Sequence, residues 1–342
     1  MTATATANAV RSIIRRASVT PQTKLNILTF CTHERYEQSL CRCGHNFYSI
    51  KSGKTWDVDY GNIPDNYFEI EELPHHVEYD LVLLQTFCNR MQIAAQLKNL
   101  LNIPILQHTH VLPDIRHEID GQIKAFHQPL PVDYRTFISE FNQKAWASSS
   151  ENSTFINHGI DTEFWNDEKP IERSPTCLSA VNLWPERDWC CGWELWKSTV
   201  GYQTSDQLPF TVVGKNDQWQ LSSAAASLEE LKTCYQSSLV FLNTSLHSPV
   251  PMSLLEAMAC GCAVVSTNTC MIPEIIEHGY NGLLSNDPNE LRAHCQDLLN
   301  NPNKAFELGQ NAKKTIQEKY NLSRFTEDWN RVFYHVIKDY KD

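Results

Sequence analysis

A single acid, Glu256, stands among small and apolar residues in the run Pro251-Met-Ser-Leu-Leu-Glu-Ala-Met-Ala-Cys-Gly261. Pro251 falls where a helix would start and Gly261 where it would end. Ala263-Val-Val265 then reads as a short buried strand, and Pro273 with Glu274 opens a further helix. The start of a helix presents unpaired N–H groups and the positive end of its dipole. The amides of Met252, Ser253 and Leu254 are therefore candidates to hold a diphosphate. A carboxylate about one turn into that helix can accept hydrogen bonds from ribose hydroxyls. The same residues also suit an ordinary helix–strand–helix segment with Glu256 on a solvated face, and the pattern alone leaves both readings open.

Such a helix start is useful only at the carboxyl end of a parallel sheet, and the chain supplies the strands. Asn26-Ile-Leu-Thr-Phe30 and Asn46-Phe-Tyr-Ser-Ile50 flank a short helix that begins after His33-Glu-Arg35 and stops at Gly44. Asp80-Leu-Val-Leu-Leu84 and Ile103-Pro-Ile-Leu106 continue the series, with an amphipathic helix expected over 88–101 between them. The second of these strands ends in Gln107-His-Thr-His110. Residues 51–78 lack periodicity and are expected to be an irregular insertion. Residues 134–148 are expected to be helical, ending in Ser148-Ser-Ser150. Cys177-Leu-Ser-Ala-Val181, Phe210-Thr-Val-Val-Gly214 and Ser238-Leu-Val-Phe-Leu242 begin a second series of strands. Residues 321–340 carry Phe325, Trp329, Val332, Phe333 and Val336 at helical spacing. Strand and helix thus alternate once on each side of residue 160, which predicts two doubly wound domains.

The run Leu255-Glu-Ala-Met-Ala-Cys-Gly261, with Val264-Val-Ser266, Pro273-Glu-Ile275 and Asn281-Gly-Leu283, resembles the nucleotide-sugar half of retaining GT-B glycosyltransferases of family 4. Phe155-Ile-Asn-His-Gly-Ile-Asp-Thr-Glu-Phe164 is similar to the segment at which such chains pass between domains, with Gly159 at a close approach or a positive φ. Gly44-His45 before an apolar strand is similar to their opening. The family's glycine pair in the first loop is replaced by His33-Glu-Arg35. Its first motif Glu is replaced by Ser248, and its glycine pair before Pro273 by Cys270-Met271.

The resemblance implies an α/β chain of GT-B type, two Rossmann-like doubly wound domains facing a cleft. The expected divisions are a flexible tail over 1–22, an acceptor-side domain over 23–158, a nucleotide-sugar domain over 159–320, and a helix over 321–342 returning to the first domain. It implies a glycosyltransferase that moves a sugar from a nucleoside-diphosphate sugar, with retention, to a glycan, lipid or protein. Arg187, in Asn182-Leu-Trp-Pro-Glu-Arg187, aligns with the family's phosphate-binding Lys, and the amides of Met252, Ser253 and Leu254 would take further oxygens. Glu256 would meet the ribose, while Gly214 with Lys215 or Asn216 would flank the base. Ser248 would touch the sugar, where it supplies one hydrogen bond and no charge. His108, with His110 as the alternative, would lie near the anomeric carbon, and His33, Glu34 and Arg35 near acceptor or phosphate. No obligatory cofactor or metal is implied. The loss of the first Glu keeps open a catalytically weak sugar-nucleotide-binding protein, and a GT-B sugar-nucleotide epimerase is a further alternative.

The bulk properties agree with this class. At 342 residues, 42% of them hydrophobic and with nine Trp, the chain suits two globular domains. A formal charge of -11 opposes a nucleic-acid partner, which needs a basic field. No apolar run approaches the roughly 18 residues of a membrane span, so peripheral contact is the only membrane role left. Twelve cysteines without a secretory leader suggest reduced thiols and a cytoplasmic location. Cys41-Arg-Cys-Gly-His45 is an incomplete metal motif, with no second pair to finish a tetrahedral set.

Overall fold

The computed structural model describes residues 3–52, 54–58, 61–85, 90–113, 132–146, 152–166 and 172–340. The chain divides into two compact units, Met1–Gly159 with Leu322–Asp342, and Ile160–Asn321. Each is an α/β unit built on a parallel sheet.

The first unit contains strands β1 (Asn26–Thr29), β2 (Asn46–Ile50), β3 (Tyr67–Ile70), β4 (Leu81–Leu84), β5 (Ile105–Thr109), β6 (Tyr134–Phe137) and β7 (Ser153–Phe155). They lie in the order β3-β2-β1-β4-β5-β6-β7, all parallel. A parallel sheet is covered on both faces, so its central strands are continuously apolar. All four residues of β4 have 0% exposure. The strand order reverses between β1 and β4, and ligands of such sheets bind beyond the carboxyl ends at that point.

The helices α1 (Ala3–Ser18), α2 (Glu34–Cys41), α3 (Arg90–Leu101) and α4 (Glu140–Ala145) belong to this unit. The first residues, expected as a flexible tail, hold α1 instead. Its Ser12 and Arg16 side chains both donate to the carbonyl of Asn102, at 2.6 and 2.7 Å, and Arg15 pairs with buried Asp80 at 2.8 Å. The anchors are polar, which is why an Ala/Thr-rich composition concealed them. The helix expected over 134–148 is β6 followed by α4. Thr136 and Phe137 pair with His108 and Thr109, and the helix restarts only where Ser139 caps the N–H of Asn142. Ser148-Ser-Ser150 lies outside the described residues. The insertion over 51–78 contains β3, an edge strand paired with β2, whose partly exposed outer residues hide its alternation.

The second unit contains β8 (Ser174–Ala180), β9 (Phe210–Val213), β10 (Ser238–Asn243), β11 (Ala263–Ser266) and β12 (Leu283–Leu284), in the order β12-β11-β10-β8-β9. Its helices include α5 (Thr162–Trp165), α6 (Asp188–Cys191), α7 (Trp193–Val200), α8 (Leu228–Ser237), α9 (Met252–Ala259), α10 (Ile272–Ile275), α11 (Pro288–Asn300) and α12 (Pro302–Lys319). Here the order reverses between β8 and β10.

The last helix, α13 (Leu322–Asp339), packs in the first unit, with Phe325, Trp329 and Phe333 fully buried beside Ile27, Leu40 and Phe47. A Cβ at Gly159 would lie 2.6 Å from Phe325, so the glycine answers a close approach and not a positive φ. Among the described residues no helix is long and apolar enough to cross a membrane.

Candidate functional site

In the second unit four loops leave the carboxyl ends of β8, β9, β10 and β11, and they carry the residues singled out in the sequence. The helix α9 follows β10 and begins after Pro251, which has no side-chain acceptor and caps nothing. By contrast α8 and α11 are closed by the side chains of Ser227 and Asp287. The N–H of Leu254 donates to the carbonyl of Pro251 at 3.1 Å, which removes it from the expected open set. Met252 and Ser253 have no such backbone acceptor among the described residues. Two amides and a dipole end therefore stand where the loop after β10 enters α9.

Glu256 lies about one turn further in. It is 1% exposed, and one carboxylate oxygen accepts from the Tyr235 hydroxyl at 3.1 Å. It is thus a buried, held carboxylate rather than the residue of a solvated face. Tyr235 uses one acceptor position of a group that offers about four.

Across the point of reversal, Arg187 ends the short turn Pro185–Arg187 after β8. It is exposed, with only a long 3.5 Å contact from its guanidinium to the carbonyl of Asn182. The backbone there is fixed by its neighbours. Asn182 Oδ1 accepts from the N–H of Lys215 at 2.8 Å, and the N–H of Leu183 donates to Lys215 at 3.0 Å. Gly214 has φ +143°, and a Cβ there would sit 2.0 Å from the carbonyl oxygen of Val181. Only glycine lets these two loops touch. Asn216, one of two candidates for the base edge, is instead fully buried. Its amide donates to Val181 and Ser222, and its carbonyl accepts from Trp184. It pins the loop, which leaves exposed Lys215 as the outward residue.

Ser248 is half-buried on the loop after β10, and the Cys270 thiol donates to the carbonyl of Leu246 on that loop at 3.6 Å. Two of the three substituted family positions, Ser248 and Cys270, therefore lie on loops in contact. The adjacent His247 ring lies 5.8 Å from that of Trp189, an aromatic neighbour that no motif singles out.

In the first unit the candidate histidines separate. Strand β5 extends to Thr109, so His108 lies inside it and not beyond it. It is 1% exposed, its Nδ1 is 2.8 Å from Thr136 Oγ1, and its Nε2 is buried without a partner among the described residues. Burial, with His158 nearby, holds its pKa well below the usual imidazole value. His108 is accordingly corrected from a catalytic candidate to a core residue, packed between Tyr36 and Trp329. His110 is the first residue past the strand and is half-buried. Its Nε2 is 3.0 Å from Gln85 Oε1.

The group at the start of α2 is chiefly structural. His33 caps the helix by accepting from the N–H of Tyr36. Burial alone would raise the Glu34 carboxyl, but Lys54 at 2.9 Å and the N–H of Asp57 hold it below its ordinary value. Arg35 is half-buried. The polar residue that sequence reasoning missed is Glu37, with 0% exposure. Gln85 and Thr32 donate to its Oε1, at 2.8 and 3.3 Å, while its Oε2 has no partner among the described residues. The available signal was an acid one position after Tyr36, on the helix face shared with apolar Leu40 and Cys41. Cys41 and Cys43 are buried free thiols. Among the described residues no group of His, Cys, Asp or Glu is placed to hold a metal ion.

Two parallel-sheet α/β units, the second with an uncapped helix start and an exposed arginine at its point of reversal, make up a fold of the GT-B type. Residues 210–315 match the family model described as Glycosyl transferases group 1. The chain is 33% identical over 87 residues to an uncharacterized glycosyltransferase of Methanocaldococcus jannaschii, covering 25% of this chain and 22% of the relative. It is 30% identical over 91 residues to the N-acetyl-alpha-D-glucosaminyl L-malate synthase of Bacillus anthracis, covering 26% and 24%. These matches span about a quarter of each relative's length. The crystal structure of Anabaena HepE in complex with UDP-glucose superimposes with a TM-score of 0.72 at 15% identity, covering 91% of this chain and 100% of that one. That likeness shows the fold.

Proposed function

We propose that this chain is a retaining glycosyltransferase that takes a sugar from a nucleoside-diphosphate donor and transfers it to a hydroxyl acceptor. The observation that carries this reading is that the open start of α9 and the exposed Arg187 lie on the loops that follow the neighbouring strands β10 and β8. Two amides, a dipole end and a guanidinium suit the diphosphate, since an Arg fork satisfies two phosphate oxygens where a Lys offers a point charge. Glu256, steadied by Tyr235, faces the ribose hydroxyls in this reading, and the Gly214–Lys215 turn flanks the base.

The chemistry follows from charge. The bond between the anomeric carbon and the diphosphate oxygen breaks, and negative charge grows on that oxygen. Arg187 and the amides of Met252 and Ser253 stabilise it. The acceptor oxygen bonds to the anomeric carbon on the same face, and its proton passes to the departing phosphate oxygen. Ser248 holds the sugar through one hydrogen bond. His110, in the first unit, accepts from a substrate hydroxyl. Incubating the chain with UDP-, GDP- and ADP-sugars and a panel of glycan and lipid acceptors tests this. The expected result is free nucleoside diphosphate and a product of unchanged anomeric configuration by NMR. An inverted product would contradict the mechanism.

Ser248 favours one second reading, a sugar-nucleotide-binding protein with little transfer activity. Donor binding without nucleotide release from any acceptor would select it. Interconversion of the donor sugar in the absence of acceptor would select an epimerase instead.

A further inference from the structure

Beyond the carboxyl ends of β1, β4 and β5, a line of side chains runs from the half-buried His110 into the interior of the first unit. His110 Nε2 lies 3.0 Å from Gln85 Oε1, and Gln85 Nε2 lies 2.8 Å from Glu37 Oε1. The second hydrogen of the Gln85 amide is directed at Thr29 Oγ1, 3.4 Å away. Gln85 is 5% exposed, and Glu37 and Thr29 have no exposure. The direction of this line is set from its inner end. With the carboxyl ionised, or with its proton on Oε2, Glu37 Oε1 accepts from Gln85 as it does from the Thr32 hydroxyl, and the Gln85 amide nitrogen faces it. The amide carbonyl is thereby turned outward, and a carbonyl can only accept. His110 must therefore donate through Nε2–H. A neutral imidazole carries one proton, so the lone pair lies on Nδ1, which has no hydrogen-bond partner among the described residues.

We propose that Glu37 and Gln85 form a buried relay that fixes His110 in its Nε2–H tautomer and leaves Nδ1 to accept from a substrate hydroxyl. Both are positioning residues and touch no substrate. The inference rests on the reading of His110 as the hydroxyl-binding histidine of the first unit, and it adds the device that selects its acceptor atom. The arrangement also accounts for an acid in the core of α2, where an apolar residue would pack at lower cost. Two donors, Gln85 and Thr32, hold it there. The Tyr36 ring lies 4.4 Å from the His110 ring, nearly perpendicular to it. The ring plane of His110 is thus set by Tyr36, and its proton by Gln85.

The test uses the full chain labelled with 15N, with the His110 ring signals identified by their loss in His110→Gln. Two-bond proton–nitrogen spectra at neutral pH report the tautomer directly. The wild type should show a single neutral Nε2–H species at His110. Gln85→Met, close in volume but without the carbonyl, should give a mixture of both tautomers, and so should Glu37→Leu, which frees the Gln85 amide to turn over. Glu37→Gln keeps an acceptor for the Gln85 amide and should restore the single tautomer, which separates positioning from damage to the fold. An Nδ1–H wild type, or an unaltered single tautomer in Gln85→Met, overturns the relay.

Nucleotide release from the donor then tests what the relay is for. Gln85→Met should lower kcat about tenfold, the effect of one misdirected hydrogen bond, with donor KM unchanged, and should add nothing further in a His110→Gln background. A changed tautomer with unchanged kcat overturns the link to substrate. A wild type that releases no nucleotide contradicts the transferase reading alone, because the tautomer pattern is read without turnover.

Discussion

Burial pushes the Glu37 carboxyl from its ordinary 4.5 up to about 8, against the opposing effect of its bonds from Gln85 and Thr32. Between those values the folded chain holds a proton that the unfolded chain has lost. The stability Glu37 contributes is therefore complete below about pH 4.5 and declines as pH rises towards 8. Its titratable neighbours stay out of that window. Glu34 is held below its ordinary value, burial lifts the Cys31 thiol to about 11, and the Tyr67 phenol is raised further. The melting temperature of Glu37→Gln minus that of the wild type should then grow from pH 4.5 to pH 8. A difference that stays constant would contradict the perturbed carboxyl. The histidines pull the other way, since burial lowers His158 to about 3, but they are common to both proteins and cancel in the difference.

Residue chemistry was only partly legible in the sequence. Glu256 could be singled out because an acid in a small apolar run is conspicuous, yet its burial and its bond from Tyr235 join residues far apart in the chain. The two histidines of Gln107-His-Thr-His110 could not be told apart, because the end of β5 is set by its pairing with β6, a strand that reads as helix. Gln85 and Glu37 gave no signal as a pair, since 48 residues separate them and only the β1–β4 neighbourhood brings them together.

At the scale of elements, the strands buried on both faces were the readable ones. Apolar runs such as 81–84 and 238–243 declare themselves, whereas edge strand β3 and the strand–cap–helix succession at 134–145 depend on partners. The loops after β8 and β9, proposed to hold the donor, are joined by backbone contact, and Gly214 is the point at which this is most exposed to substitution. Gly214→Ala combines a positive φ with a Cβ driven against the Val181 carbonyl. It should destabilise the second unit by about 1–3 kcal/mol and weaken nucleotide binding, measured by denaturant unfolding and by calorimetry. Wild-type stability would show that the turn can rearrange. Gly159→Ala meets Phe325 of α13 and should lower stability by a similar amount, about 1–3 kcal/mol, with nucleotide affinity unchanged. The pair of substitutions thus separates a glycine of the site from a glycine of the scaffold.

At the scale of the whole molecule, the duplicated α/β pattern on either side of residue 160 was readable from strand and helix alternation, and both sheets carry a reversal of strand order where their candidate residues collect. The strength of the motif in residues 255–283 and the weaker pattern before residue 155 follow from what each half must hold. A diphosphate imposes a helix start, a cation and a glycine turn, which leave a sequence trace. A histidine whose tautomer is set through a buried amide leaves almost none. The central claim is that the second unit binds a nucleoside diphosphate through α9 and Arg187, and calorimetric unfolding of the full chain with UDP, GDP and ADP tests it most directly. At about 100 times its Kd, one of these should stabilise the chain by about 2.7 kcal/mol, with that gain largely lost in Arg187→Ala and in Glu256→Gln. Stabilisation by none of the three, or by one that survives both substitutions, would contradict it.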